Sequence, residues 1–67
     1  MALSSLYHIP EGRNVRFTDH AGQRREVFVV TNNRILEVVH IEIDGDLIEI
    51  AYSEIKQASV PLNKRAL

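Results

Sequence analysis

Three groups of residues have the types that could do chemistry. In "HIEIDGDLIEI", residues 40 to 50, Asp44 and Asp46 flank Gly45, and clustered carboxylates are what a hard cation such as calcium takes. His8, His20 and His40 add imidazoles, which together with carboxylates suit zinc. "TDH", residues 18 to 20, followed by Gly22, supplies an acid and a base for proton transfer. Spacing argues against all three. A calcium-binding EF-hand loop needs acids at its first, third and fifth positions, glycine at the sixth and Glu at the twelfth. Counted from Asp44, the glycine falls second and Ile55 falls twelfth. The histidines match no helical or knuckle pattern, and no Ser or Cys is placed for His20 to activate. The sequence therefore implies no catalytic residue, no metal site and no cofactor.

Asp-Gly has a more direct meaning as the turn of a two-residue β-hairpin. With Asp44-Gly45 as that turn, Ile41 faces Ile48, Val39 faces Ile50, and His40 meets Glu49 as an attractive pair. Shifting the turn to Gly45-Asp46 would set Glu42 against Glu49. The first register is therefore expected.

The basic residues carry a different chemistry. Arg13, Arg16, Arg24 and Arg25 lie on or beside the first expected hairpin, with Phe17 and Phe28 close by in sequence and Tyr7 within reach. Cationic side chains beside aromatic platforms hold single-stranded nucleic acid on small barrels. Arg24 and Arg25 also precede "EVFVV", where charges act as gatekeepers against aggregation. Nucleic-acid binding through these four arginines is the second functional reading.

The elements that must position these residues are mostly strands. "NVRFTD" (14–19), "RREVFVVTN" (24–32), "RILEVVHIEI" (34–43) and "LIEIAY" (47–52) are β-branched or alternate apolar with polar residues. "DHAGQ" joins the first two, and "NN" reads as the turn between the second and third. "YSEIKQ" predicts one helical turn, and "ASVPL" a short last strand held to an edge by Pro61. "MALSSLYHIP" reads as an arm or a single helical turn closed by Pro10.

Composition narrows the setting. A chain of 67 residues without cysteine has neither disulfides nor thiolate zinc sites to support a small core. Association with a copy or a partner protein is the remaining support. The segment from Glu37 to Ile55 carries six acids and no Lys or Arg, whereas the flanks are basic. No apolar run approaches the roughly 20 residues that span a bilayer, and the N-terminus lacks a basic start and a long apolar stretch. A cytoplasmic location and no membrane partner are expected. The organisation read from the pattern is one β domain, 1–67, with an arm (1–12), a β core (13–62) and a basic tail (63–67).

"AYSEIKQASVP", residues 51 to 61, resembles the closing segment of Sm-like RNA-binding proteins, where a strand bearing Tyr leads through a short turn into a valine-rich strand. The resemblance covers those residues alone, and "TNNRILEVV" departs from the glycine-containing bent strand of such proteins. The short strands, tight turns and single helical turn before the last strand themselves imply an all-β fold: a small SH3-like barrel or strongly bent antiparallel sheet of four to five strands. The segment is similar to that general small-barrel pattern.

With Asn32-Asn33 as a turn, Phe28, Val30 and Ile35 share a face with Val39, Ile41, Ile43, Ile48, Ile50 and Tyr52. Val27, Val29, Leu36 and Val38 then point the other way. An apolar patch of that size is seldom left bare. These four residues are the expected self-association surface, in a dimer. The arm, through Leu3, Leu6 and Ile9, or the tail, through Leu62 and Leu67, is the competing cover. The functional expectation is a non-enzymatic interaction module that self-associates and binds a protein partner, of the kind found among bacterial or phage regulatory and accessory factors.

Overall fold

The computed structural model describes residues 5–61. The predicted tail (63–67), Leu3 and Leu62 lie outside them. Five strands form one antiparallel sheet: β1 (Arg13–Thr18), β2 (Arg24–Asn33), β3 (Val38–Ile43), β4 (Asp46–Ala51) and β5 (Gln57–Ser59). Single 3-10 turns occupy Leu6–His8 and Tyr52–Glu54. The second is the helical turn expected before the last strand. The spatial order is β4-β3-β2-β1-β5, so among the described residues β4 and β5 are edges and the sheet does not close into a barrel.

The inner face follows from strand alternation. Val15 pairs with Val27 and Phe17 with Arg25, which settles that β1 turns Val15 and Phe17 inward beside Val27 and Val29. Val39 and Ile41 continue this face on β3. Val15, Val29, Val39 and Ile41 are fully buried, which a single-layer sheet achieves by curling over its own inner face and by taking cover from the segments outside it. Ile9 from the arm and Ile55 from the β4–β5 connection fill the remaining space.

The β3–β4 hairpin has the expected register. His40 pairs with Glu49, Ile41 with Ile48 and Val39 with Ile50. Asp44 and Gly45 both take positive φ, 53° and 84°, the geometry of the tight hairpin turn whose twist matches its strands.

The β2–β3 connection differs from expectation. Asn32 and Asn33 belong to β2, and the turn is Arg34–Glu37. Asn33 Oδ1 accepts from the amides of Ile35 and Leu36, at 3.1 and 3.0 Å, folding that segment as a capped turn. A register shift also falls between Val29 and Thr31. This bulge adds one residue to β2 and reverses the parity beyond it. Val29 and Asn32 therefore share the inner face, and Val29 faces Ile41 instead of Leu36.

The expected two-sided apolar pattern is corrected accordingly. Val27 and Val29 are buried in the chain's own core, at 6% and 0% exposure. Val38 is half-buried and Leu36 lies exposed in the turn. These four residues do not form one surface. Phe28, Val30 and Ile35, expected to share the face of Val39 and Ile41, are exposed instead.

Candidate interaction site

The acid and imidazole groups singled out by type serve the fold. Asp19 Oδ1 accepts from the amides of Ala21 and Gln23, each at 2.9 Å, and Gly22 N–H donates to the Asp19 carbonyl at 3.0 Å. The "TDH" segment is thus a side-chain-stapled turn. His20 Nε2 lies 2.8 Å from the Ser53 carbonyl and ties this turn to the second 3-10 turn. His40 Nε2 lies 3.6 Å from Glu49 Oε1, a contact worth about 0–1 kcal/mol in such an exposed position. Among the described residues no three His, Cys, Asp or Glu side chains come together as a metal-binding group.

The four arginines do not converge. Arg16 and Arg24 stand on the outer face of the β1–β2 ladder, and Arg13 and Arg25 occupy inner-face positions at opposite ends of it. Arg16 lies 3.7 Å from Glu26. Outer-face positions on the adjoining strands carry Glu42 and Glu49. The result is a surface of mixed sign.

The N-terminal arm is fixed by a polar cluster that the sequence did not disclose. Asn32, 4% exposed, donates through Nδ2 to the carbonyls of Leu6 and Ile9, at 3.1 and 3.2 Å. Its Oδ1 accepts from the Tyr52 hydroxyl, and its backbone amide donates to Glu11 at 2.7 Å. Every hydrogen-bonding group of the Asn32 side chain is thereby used, as burial demands. Around it, Arg34 Nε donates to the Tyr7 carbonyl at 2.6 Å and the Tyr7 hydroxyl donates to the Glu37 carboxylate. The two tyrosine rings meet edge-on with centroids 5.5 Å apart. The hydrogen bond to Glu37, with the charge of that carboxylate, raises the Tyr7 pKa above its ordinary value. Removal from water raises that of Tyr52.

An open side remains. Phe17, Val27, Ile41, Ile50 and Ile55 line a cleft of about 220 Å³, with Asp19, Arg25 and Glu54 among its other walls. Sites for small molecules usually run from about 300 to 1,000 Å³, so this cleft suits a single inserted side chain better. Beside it on the inner face stands Ile48, and on the outer face of the same strand Leu47; they are 39% and 63% exposed. Both lie on β4, which is paired on one side only among the described residues. The consecutive apolar pair Leu47-Ile48 interrupts the alternation of β4, and that break was the available sequence signal for this site. A second exposed apolar group, Ile35 and Leu36, stands at the β2–β3 turn. The chain matches no protein-family model, no curated protein and no solved structure.

Proposed function

We propose that the protein is a non-enzymatic interaction module of SH3-like build that binds a partner protein on its open side. The observation that carries this reading is the juxtaposition of an apolar cleft with an edge strand that bears exposed Leu47 and Ile48 and, among the described residues, is paired on its β3 side alone. Native proteins ordinarily cover or blunt such an edge. The SH3-like description rests on the strand order and on a 3-10 turn leading into a last strand that returns to β1. A cytoplasmic regulator or accessory factor of bacterial or phage type is the setting this build suits.

Self-association belongs to the same reading, with its site moved from Val27 and Val29 to the exposed turn residues Ile35 and Leu36. Light scattering across the micromolar range tests it: the wild type gives a dimer and Leu36→Glu a folded monomer. A monomeric wild type would remove self-association. Nucleic-acid binding through Arg16 and Arg24, beside exposed Phe28 on the outer face, is the weaker reading, because Glu26, Glu42 and Glu49 share that face. It requires affinity for single strands that falls steeply with salt and is weakened by Arg24→Ala.

A further inference from the structure

We propose that β4 accepts a basic, extended segment of a partner protein as a sixth strand, with apolar side chains of that segment entering the cleft. The inference rests on the reading of the open side as an interaction surface and specifies what it takes.

Hydrogen-bond parity identifies the free groups. In a two-residue hairpin the residues flanking the turn exchange both backbone hydrogen bonds, and bonded pairs then alternate with non-bonded ones. Ile43 and Asp46 flank the Asp44-Gly45 turn, so Ile41–Ile48 and Val39–Ile50 are the next bonded pairs. The bond from Tyr52 N–H to the Glu37 carbonyl, 2.8 Å, falls on the same alternation one step further. Asp46, Ile48 and Ile50 therefore bond inward to β3. Leu47, Glu49 and Ala51 direct their N–H and C=O groups outward, where no described strand lies. A segment added there lies with the side chains opposite Ile48 and Ile50 on the cleft side. Those opposite Leu47 and Glu49 lie on the outer face.

Charge then selects the occupant. Asp44, Asp46, Glu49 and Glu54 lie on or beside this edge, within a stretch of six acids and no Lys or Arg from Glu37 to Ile55. Two copies of β4 brought together antiparallel would set these carboxylates against one another, so the acids select against self-pairing as well as for a cationic strand. At the other edge, β5 is only three residues long and Pro61 follows closely, leaving little ladder to extend. β4, with six residues, is the edge open to addition.

The test is an NMR amide titration of the isotope-labelled full chain with two short synthetic peptides, one alternating Lys with Val and one alternating Glu with Val. The Lys peptide should perturb the amides of Leu47, Glu49 and Ala51, with affinity falling as salt rises, while the Glu peptide should leave them unmoved. Leu47→Pro removes an outward amide and leaves the β3 ladder intact, so it should fold and abolish binding. Glu49→Lys, a surface change that spares the backbone, should weaken binding roughly tenfold. Equal binding of both peptides at these amides would overturn the charge selection while leaving the open side an interaction surface. Perturbation confined to the cleft would overturn strand addition and leave that surface standing. Edge amides already protected in a peptide-free dimer would make a second copy the occupant and overturn the proposal. Absence of any perturbation by either peptide would refute it outright.

Discussion

Replacing Asn32 by Ala should remove a large share of the stability of this chain. The substitution deletes the two donations to the Leu6 and Ile9 carbonyls and the acceptance from Tyr52. The bond to Ile9 is buried and the other two are partly buried. A buried polar group left without a partner costs about 1–3 kcal/mol, and a typical net hydrogen bond contributes about 1 kcal/mol. Taking about 2 kcal/mol for the buried bond and about 1 kcal/mol for each of the others gives a loss of about 4 kcal/mol. A chain of this size has roughly 3–10 kcal/mol in total. Urea unfolding followed by circular dichroism reads the change. With a slope near 1 kcal/mol per molar, the low end for small proteins, the midpoint should fall by about 4 M or the variant should be unfolded in buffer. Asn33→Ala is the control, because its side chain only caps an exposed turn; it should cost about 1 kcal/mol. Asn32→Asp retains the acceptor for Tyr52 but points a carboxylate at two carbonyls beside Glu11. Its deficit should therefore shrink as the pH falls and that carboxylate is protonated. Equal, small losses for Asn32→Ala and Asn33→Ala would refute the reasoning and return Asn32 to the role of a turn residue.

Two further outcomes are expected. Asp44 sits at φ 53°, so Asp44→Asn should leave the melting temperature nearly unchanged, while Asp44→Val should cost more than about 1 kcal/mol because a β-branched residue resists that geometry; equal effects would remove backbone conformation as the reason for Asp44. Tyr7 and Tyr52 both have folded pKa values raised above 10.0, so their contribution is fully present below about pH 10 and is lost as the pH rises through the folded values. Urea midpoints should accordingly decline above about pH 10, less steeply in Tyr7→Phe, and an identical slope in both proteins would exclude Tyr7.

The β3–β4 hairpin was legible because two independent signals agree on it: period-two alternation and an Asp-Gly turn. Charge complementarity and the Asp-Gly turn preference together select the pairing of His40 with Glu49. The β2–β3 connection was not legible, for two physical reasons. Ile35 and Leu36 have strand-forming side chains but sit in the turn, held by the Asn33 carboxamide two and three residues before them. A β-bulge leaves no mark in composition, yet one extra residue turns the rest of a strand to its other face. That is why alternation alone places Val27 and Val29 on a surface, although they lie in the core. The role of Asn32 was hidden differently. Its side-chain partners stand 20 to 26 positions away in sequence, and Asn beside Asn reads locally as a turn. The open side became visible only once curling of the sheet brought Phe17, Ile50 and Ile55 around one cleft.

Burial of the inner face is uneven, and that unevenness connects stability to binding. Val29, Val39 and Ile41 are sealed, while Ile48, one strand further out on the same face as Ile41, remains 39% exposed. Apolar area removed from water contributes roughly 25 cal/mol per Å², so the exposed parts of Leu47 and Ile48 represent stabilisation that the chain alone does not realise. A strand added at β4 would cover both and continue the hydrogen-bond ladder outward. Such a partner would bind the folded chain and not the unfolded one, so it would raise apparent stability in proportion to the logarithm of its concentration once that exceeds its dissociation constant. Ile9 from the arm and Asn32 from β2 hold the core together within one chain, whereas the proposed docking at β4 would draw on another. The edge that leaves this small core incomplete is therefore the same element that gives a partner something to gain by docking.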